Sequence, residues 1–191
     1  MSQPGKTGKT SFAVLGGVNL QNINGKDMNG NKLENDLIFG FHAGVNAQIP
    51  VAPEFYFQPG FIFTTKGTKI SAKSYQLSYV ELPLNLVYKA LVGNGYFMLG
   101  FGPYVAYGVG GKNTEFKKIT DSGDTNALKY FKPFDAGANL FFGYELPSGI
   151  FAQLNTQLGL LDLQPEDKRI SVDDKSESRN TGFGISLGYR F

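Results

Sequence analysis

The sequence predicts an all-β protein: an eight-stranded, antiparallel, up-and-down transmembrane β-barrel with short periplasmic turns and longer extracellular loops. Three observations predict it. Apolar residues alternate with small or polar ones along most of the chain. Short and long connections also alternate, as in outer-membrane barrels, and 25 of the 34 charged residues lie in the long connections or at their edges. A composition of 25 glycines, 17 phenylalanines and 10 tyrosines favours strands and tight turns over helices.

Eight segments carry this alternation, and each has about the length that a tilted strand needs to cross a bilayer. The predicted strands are Ser11 to Leu20, Leu37 to Ile49, Phe55 to Lys66, Tyr79 to Lys89, Gly95 to Val109, Pro133 to Glu145, Ile150 to Leu163 and Asn180 to Phe191. The apolar stretches are all too short for a membrane-spanning helix. Residues 1–10 are expected to be a flexible tail, which leaves residues 11–191 as one barrel domain.

The connections differ in length in a regular way. Three are short, at residues 50–54, 90–94 and 146–149, and contain the prolines and glycines typical of turns. Four are long, at residues 21–36, 67–78, 110–132 and 164–179. Up-and-down connectivity would put all the short turns and both termini at one end, and all the long loops at the other.

Charged residues within the predicted strands indicate which face meets lipid. Glu81, Asp135, Glu145 and Arg190 all have the parity opposite to the bulky apolar set, and only Asp162, at a strand end, shares it. A lipid-facing Arg or Lys at mid-membrane costs about 2 to 4 kcal/mol. A water-soluble barrel would show the reverse arrangement, with apolar residues inside. The pattern therefore predicts an apolar outside and a polar lumen.

The interior of an eight-stranded barrel is just wide enough for side chains to fill. Parity places a further set of amide side chains inside, among them Asn46, Gln58, Asn85 and Gln157. We expect ion pairs and hydrogen bonds rather than a pore, because an unpaired charge there would be costly. The predicted luminal polar network is His42, Lys66, Glu81, Asp135, Glu145 and Arg190.

Four outward-facing tyrosines lie near predicted strand ends, where an interfacial girdle of aromatic residues would lie. They are Tyr88, Tyr107, Tyr144 and Tyr189. The protein has no tryptophan, so tyrosine and phenylalanine would have to form this belt.

Candidate motifs for chemistry are weak. The GKTGKT stretch at residues 5–10 lacks the first glycine of a phosphate-binding loop, because Gln3 stands at that position. His42 is the only histidine and cysteine is absent, which argues against a zinc site, and the lumen is the wrong place for a lipid hydrolase. Residues 121–126 and 164–179 are acidic but match no defined calcium loop. We expect no catalytic residues, cofactor or metal.

Several segments resemble the small outer-membrane β-barrel domain family of Gram-negative bacteria, which includes PorT-like and OmpA-like eight-stranded barrels. The segments are VLGGVNL (14–20), GFHAGVNAQIP (40–50), FYFQPGFIFTTKG (55–67), YVELPLNLVYKA (79–90), GPYVAYGVG (102–110), DAGANLFFGYEL (135–146) and GFGISLGYRF (182–191). The resemblance covers nearly the whole chain after Thr10 and is specific for fold and location.

The end of the chain carries a second resemblance. The alternating residues Ile185, Leu187, Tyr189 and Phe191 resemble the C-terminal recognition strand of outer-membrane proteins. This resemblance implies that the barrel-assembly machinery binds the last strand.

The sequence as a whole predicts an integral outer-membrane protein that is not an enzyme. Its role would be structural, adhesive or accessory to envelope transport, with any recognition carried by the extracellular loops. We expect a monomer surrounded by outer-membrane lipid, and a formal charge of +2 gives no argument for nucleic acid. Residues 1–10 contain no apolar signal segment, so a signal peptide would already have been removed.

Two alternatives remain open. One is a soluble, lipocalin-like carrier, which requires the bulky residues to point inward around a ligand. The other is a membrane-embedded lipid-modifying enzyme, which would have to use His42.

Overall fold

The barrel consists of eight long strands. The computed structural model describes residues 9–26, 38–70, 73–112, 115–116, 119–120, 130–131, 133–161, 166–167 and 177–191. The long strands are β1 Ser11–Lys26, β2 Ile38–Ala52, β3 Phe55–Ile70, β4 Lys73–Val92, β5 Gly95–Lys112, β9 Phe134–Glu145, β10 Ile150–Gly159 and β12 Glu177–Arg190. Four two-residue strands complete the numbering: β6 Glu115–Phe116, β7 Ile119–Thr120, β8 Tyr130–Phe131 and β11 Glu166–Asp167.

The long strands form one closed sheet in the order β1-β12-β10-β9-β5-β4-β3-β2. Every neighbouring pair is antiparallel, and β1 closes the barrel on β12 from Ala13↔Arg190 to Lys26↔Glu177. Closure leaves no unpaired sheet edge within the hydrocarbon, which a bilayer would not tolerate. The predicted eight-stranded up-and-down barrel is confirmed.

The two faces of the wall meet different surroundings. On β5, Phe101 and Tyr107 are 55% and 58% exposed on the outside, whereas Tyr104 is buried inside. Large apolar residues are exposed in the same way on every long strand. A soluble carrier needs these side chains inside, so that alternative is wrong. Among the described residues, no helix is long and apolar enough to cross a membrane.

The turns at one end are tighter than the sequence predicted. Only Pro53 and Glu54 lie between β2 and β3, and only Gly93 and Asn94 between β4 and β5. Glu54 and Gly93 have positive φ values of 66° and 63°, as two-residue hairpins often require. The third turn, residues 146–149, has the predicted bounds.

At the other end, the prediction of a loop at residues 67–78 is wrong. β3 continues through Ile70, and β4 begins at Lys73, with Lys66 to Ile70 paired against Lys73 to Leu77. β1, β5 and β12 also extend beyond their predicted bounds, to Lys26, Lys112 and Glu177. The prediction stopped where the alternation in the sequence stopped, but backbone hydrogen bonds also hold two strands together where the sequence does not alternate.

Two strands are shorter than predicted. β9 begins at Phe134 rather than Pro133, and β10 ends at Gly159 rather than Leu163. Residues 1–8, which include most of GKTGKT, lie outside the described residues, as do Asp162, residues 121–126 and most of 164–179.

The barrel core is not entirely polar. Leu77, Tyr79, Tyr104 and Ala106 form one buried apolar cluster. Ala13, Val87, Met98, Phe141 and Phe151 form another. The first lies toward the long loops and the second toward the short turns, so each end of the lumen combines apolar packing with the charges described below.

Candidate functional site

The six predicted network residues all lie on the inner face of the barrel but do not form one network. Lys66, Glu81 and Asp135 meet toward the long loops, and Glu145 and Arg190 meet toward the short turns. His42 lies between these two groups and contacts neutral side chains.

The loop-end cluster consists of Lys66, Glu81 and Asp135, from β3, β4 and β9. The Lys66 ammonium forms an ion pair with Glu81, and its Nζ lies 3.3 Å from Oδ2 of Asp135. Their side chains are at most 3% exposed. Tyr104 donates a hydrogen bond of 3.2 Å to the same Asp135 oxygen. Such burial is tolerated because the charges are paired and hydrogen-bonded.

Aromatic rings enclose this ammonium. Nζ of Lys66 lies 4.5 Å from the ring centroid of Tyr104 and 5.4 Å from that of Tyr79. Both distances allow a cation–π attraction, which is stronger where water is excluded. The apolar cluster at this end therefore also supports the charge.

The turn-end cluster consists of Lys89, Glu145 and Arg190. Lys89 Nζ lies 2.6 Å from Oε1 of Glu145, and Arg190 Nε lies 3.0 Å from Oε2. Arg190 Nη1 also donates to Oδ1 of Asn46 at 3.3 Å. One carboxylate thus holds two cations from strands on either side of it.

Lys89 was not among the predicted network residues. The signal was present in the sequence, because Lys89 has the same parity on β4 as Glu81 and lies eight positions further along. It is the third charge of the cluster, and its Nζ also lies 4.9 Å from the ring centroid of Tyr96.

A neutral group at mid-barrel contains His42. His42 Nε2 lies 2.6 Å from Ser186 Oγ, and Nδ1 lies 3.3 Å from Asn19 Oδ1. The strand register explains the contact: Gly17 on β1 pairs with His42 on β2 and with Ser186 on β12. A Cβ at Gly17 would lie 2.9 Å from the imidazole, so the glycine lets the ring cross above β1 to reach Ser186.

Amide side chains extend this neutral group. Asn155 Nδ2 donates to Ser186 Oγ at 2.7 Å, and Gln153 Nε2 donates to Asn155 Oδ1 at 2.7 Å. Gln157 Nε2 donates to Glu81 Oε2 at 2.9 Å. Ser186 was not predicted as a site residue, because only the register across three strands brings it to His42.

A cavity of about 90 Å³ lies among these side chains. Its lining includes Asn19, His42, Asn155 and Ser186 of the neutral group, and Glu81 of the loop-end cluster. The interior is therefore not completely filled by side chains, contrary to the expectation. Within the part of the chain that the structure describes, no three His, Cys, Asp or Glu side chains could hold a metal ion together.

The four girdle tyrosines lie on the outer face. Tyr107, Tyr144 and Tyr189 are exposed, Tyr88 is half-buried, and Tyr144 donates to the Val92 carbonyl at 2.7 Å. Tyr107 pairs with Phe134 at the loop end of β9, ten residues from Tyr144. Ten residues of a strand tilted by about 40° rise about 25 Å, the height of an outer-membrane apolar band. Their position at the lipid interface stays a prediction.

The four residues of the predicted assembly signal also face outward. Ile185, Leu187 and Tyr189 are exposed on β12, and Phe191, which follows the end of that strand, is exposed as well. Phe191 exchanges backbone hydrogen bonds of 2.9 and 3.2 Å with Phe12 at the seam of the barrel. Binding by the assembly machinery stays a prediction.

A family model and the structure of OprG support the same fold. The model of a family described as outer membrane protein beta-barrel domain matches residues 1–164. The outer membrane protein OprG from Pseudomonas aeruginosa is 13% identical over 95% of both chains, with a TM-score of 0.50. Ail, the attachment invasion locus protein of Yersinia pestis, is 13% identical over 96% of this chain and 100% of its own, with a TM-score of 0.42. No curated protein sequence matches the chain.

Proposed function

Since the chain belongs to the outer membrane protein beta-barrel domain family and its location is the outer membrane, as predicted, we propose that it is a closed, non-enzymatic membrane anchor whose extracellular loops carry recognition. Its role would be structural, adhesive or accessory to envelope transport. The observation that carries the proposal is the pair of charged clusters in the lumen. The loop-end cluster and the turn-end cluster occupy different levels, so an ion would have to pass both.

The spacing of the clusters makes them separate barriers. Glu81 and Lys89 lie eight residues apart on β4, which is about 27 Å along the strand. At each level the charges bind one another across the lumen, and buried aromatic rings pack beside them. Opening either level would separate buried charges, which is strongly unfavourable.

Recognition by the loops follows from the surfaces that remain. The outer wall is apolar and faces lipid, and two of the turns at the other end contain only two residues. The chain between β5 and β9 and between β10 and β12 is much longer and rich in charge. Loops on a rigid scaffold are the usual place for binding.

Conductance and crosslinking test the two halves of the proposal. The purified protein in a planar bilayer should give no current steps, and a steady conductance would contradict the closed anchor. A photo-crosslinking amino acid at position 124 should give protein adducts in intact envelopes, whereas the same group at position 148 serves as the turn-end control. Adducts confined to position 148 would contradict recognition by the loops.

We further propose that the barrel is a monomer that the assembly machinery recognises through Ile185, Leu187, Tyr189 and Phe191. The outward alternation of these residues supports this proposal. Light scattering in detergent would test the first part, and a stable dimer would contradict it.

A lipid-modifying enzyme remains the second candidate, because one observation favours it. Ser186, His42 and Asn19 have the order of a nucleophile, a base and an orienting group. Ser186 is only 1% exposed and already accepts a hydrogen bond from Asn155, which favours a structural role. A fluorophosphonate probe, which labels reactive serines, distinguishes an enzymatic role of Ser186 from a structural one. Labelling that is lost in Ser186→Ala, together with lipid turnover that is lost in His42→Ala, would establish the enzyme.

A further inference from the structure

The cavity at mid-barrel lies between the two charged clusters. Its lining runs from Glu81, in the loop-end cluster, to Asn46, which binds Arg190 of the turn-end cluster. A volume of about 90 Å³ has room for about three water molecules at their share of liquid volume. It is too small for a drug-sized ligand.

Three amide oxygens on the cavity lining have no partner among the described residues. Oδ1 of Asn85, Oδ1 of Asn139 and Oε1 of Gln21 accept no hydrogen bond from any described residue. Asn85 and Gln21 are only 5% and 4% exposed, so bulk solvent does not reach them freely. Unpaired buried carbonyl oxygens are rare and costly, and they usually indicate a bound water or ion.

The chemistry of the lining selects the occupant. The three amide atoms on the lining without a partner among the described residues are all carbonyl oxygens, so the cavity needs hydrogen-bond donors. An apolar occupant would leave these three oxygens without a donor, whereas the surrounding amides and the His42 and Ser186 side chains offer water the two to four polar partners that it requires.

We propose that this cavity is a binding site for a small cluster of ordered water molecules, bonded to Asn85, Asn139 and Gln21. The water satisfies the three carbonyl oxygens from three different strands and thereby ties β4, β9 and β1 together across the lumen. The barrel interior is thus a hydrated chamber between two charged clusters.

Nuclear Overhauser spectroscopy of the protein in detergent micelles tests the proposal. Water held for longer than a few nanoseconds should give cross peaks to the side-chain amide protons of Asn85 and Asn139. In Asn85→Leu the cross peaks at Asn139 should fall at least twofold, because leucine occupies part of the chamber. Gln48→Leu is the matched control: Gln48 is equally buried but lies outside the lining and is bonded to Gln58. It should leave the Asn139 cross peaks unchanged.

The folding equilibrium provides a second readout. If the chamber is hydrated, Asn85→Leu should not raise the folding equilibrium constant by more than about threefold. If the chamber is dry, removing an unsatisfied carbonyl should raise it about tenfold or more. Missing water cross peaks in the wild-type protein, or such a rise, would overturn the water site. Neither measurement depends on conductance, so the water site can fail while the proposal of a closed membrane anchor stands, and the reverse also holds.

Discussion

Arg190 Nε donates a hydrogen bond of 3.0 Å to Oε2 of Glu145, although strand β10 lies between the strands that carry them. Phe151 on β10 lies beneath the guanidinium, and its ring centroid is 5.5 Å from Cζ of Arg190. The ring therefore supports the Arg190 side chain where it passes over β10. Because Lys89 binds the other oxygen of the same carboxylate, Glu145 is the centre of the turn-end cluster.

Replacing this carboxylate should destabilise the barrel. In Glu145→Gln the buried Arg190 and the half-buried Lys89 lose the anion that they share, and breaking a buried ion pair costs about 3 to 5 kcal/mol. Urea unfolding in lipid vesicles, followed by circular dichroism, measures the loss. Glu54→Gln, at an exposed carboxylate on the same end of the barrel, should change the free energy of unfolding by less than about 0.5 kcal/mol. Equal effects of the two substitutions would show that the cluster contributes nothing.

The loop-end cluster allows a double-mutant cycle. Lys66→Met leaves Glu81 and Asp135 without their shared ammonium and should cost about 3 to 5 kcal/mol. Adding Glu81→Gln should recover about 1 to 3 kcal/mol, because one uncompensated carboxylate is removed as well. Urea unfolding in lipid vesicles measures the free energy of unfolding of each variant. Additive losses from the two substitutions would mean that Lys66 and Glu81 do not interact.

The position of the bilayer along the barrel can be tested with two substitutions on one strand. Leu140 lies near the middle of β9, and Tyr144 lies near its turn end, both facing outward. Leu140→Arg should lower the free energy of unfolding in lipid vesicles by about 2 to 4 kcal/mol, whereas Tyr144→Arg should lower it by about 1 kcal/mol or less. A larger loss at Tyr144 would place the membrane interface elsewhere.

The turn between β2 and β3 contains a strained residue. Glu54 has a φ of 66°, a conformation that costs a residue with a Cβ about 1 kcal/mol and that glycine adopts freely. Glu54→Gly should therefore raise the free energy of unfolding by up to about 1 kcal/mol. Gly93→Ala is the reverse test at φ 63°, where the nearest atom to an added Cβ is 3.7 Å away, and it should lower stability. A loss of stability in Glu54→Gly, or a gain in Gly93→Ala, would contradict the conformational argument.

The sequence predicted which residues face inward and outward better than it predicted where the strands end. Alternation depends on two different surroundings, so it placed Phe101 outside and Asp135 inside, but the sequence had no such signal for residues 67–70, where the strand continues. The interior contacts required the register as well. Ser186 reaches His42 only because Gly17 lies between them on the neighbouring strand, and parity alone does not fix that alignment. Lys89, by contrast, could have been found from parity.

The last strand makes separate predictions for folding and for assembly in the cell. Phe191 is 68% exposed, and its backbone rather than its ring closes the seam with Phe12. Phe191→Ala should therefore refold in detergent with nearly the wild-type stability, because truncating an exposed side chain removes little packing. If the assembly machinery reads this residue, the same variant should reach the outer membrane at a clearly lower level in cells. Phe183→Ala, on the same face of β12 and 62% exposed, is the control and should assemble normally. Equal outer-membrane levels of the two variants would show that the terminal aromatic residue is not part of the signal.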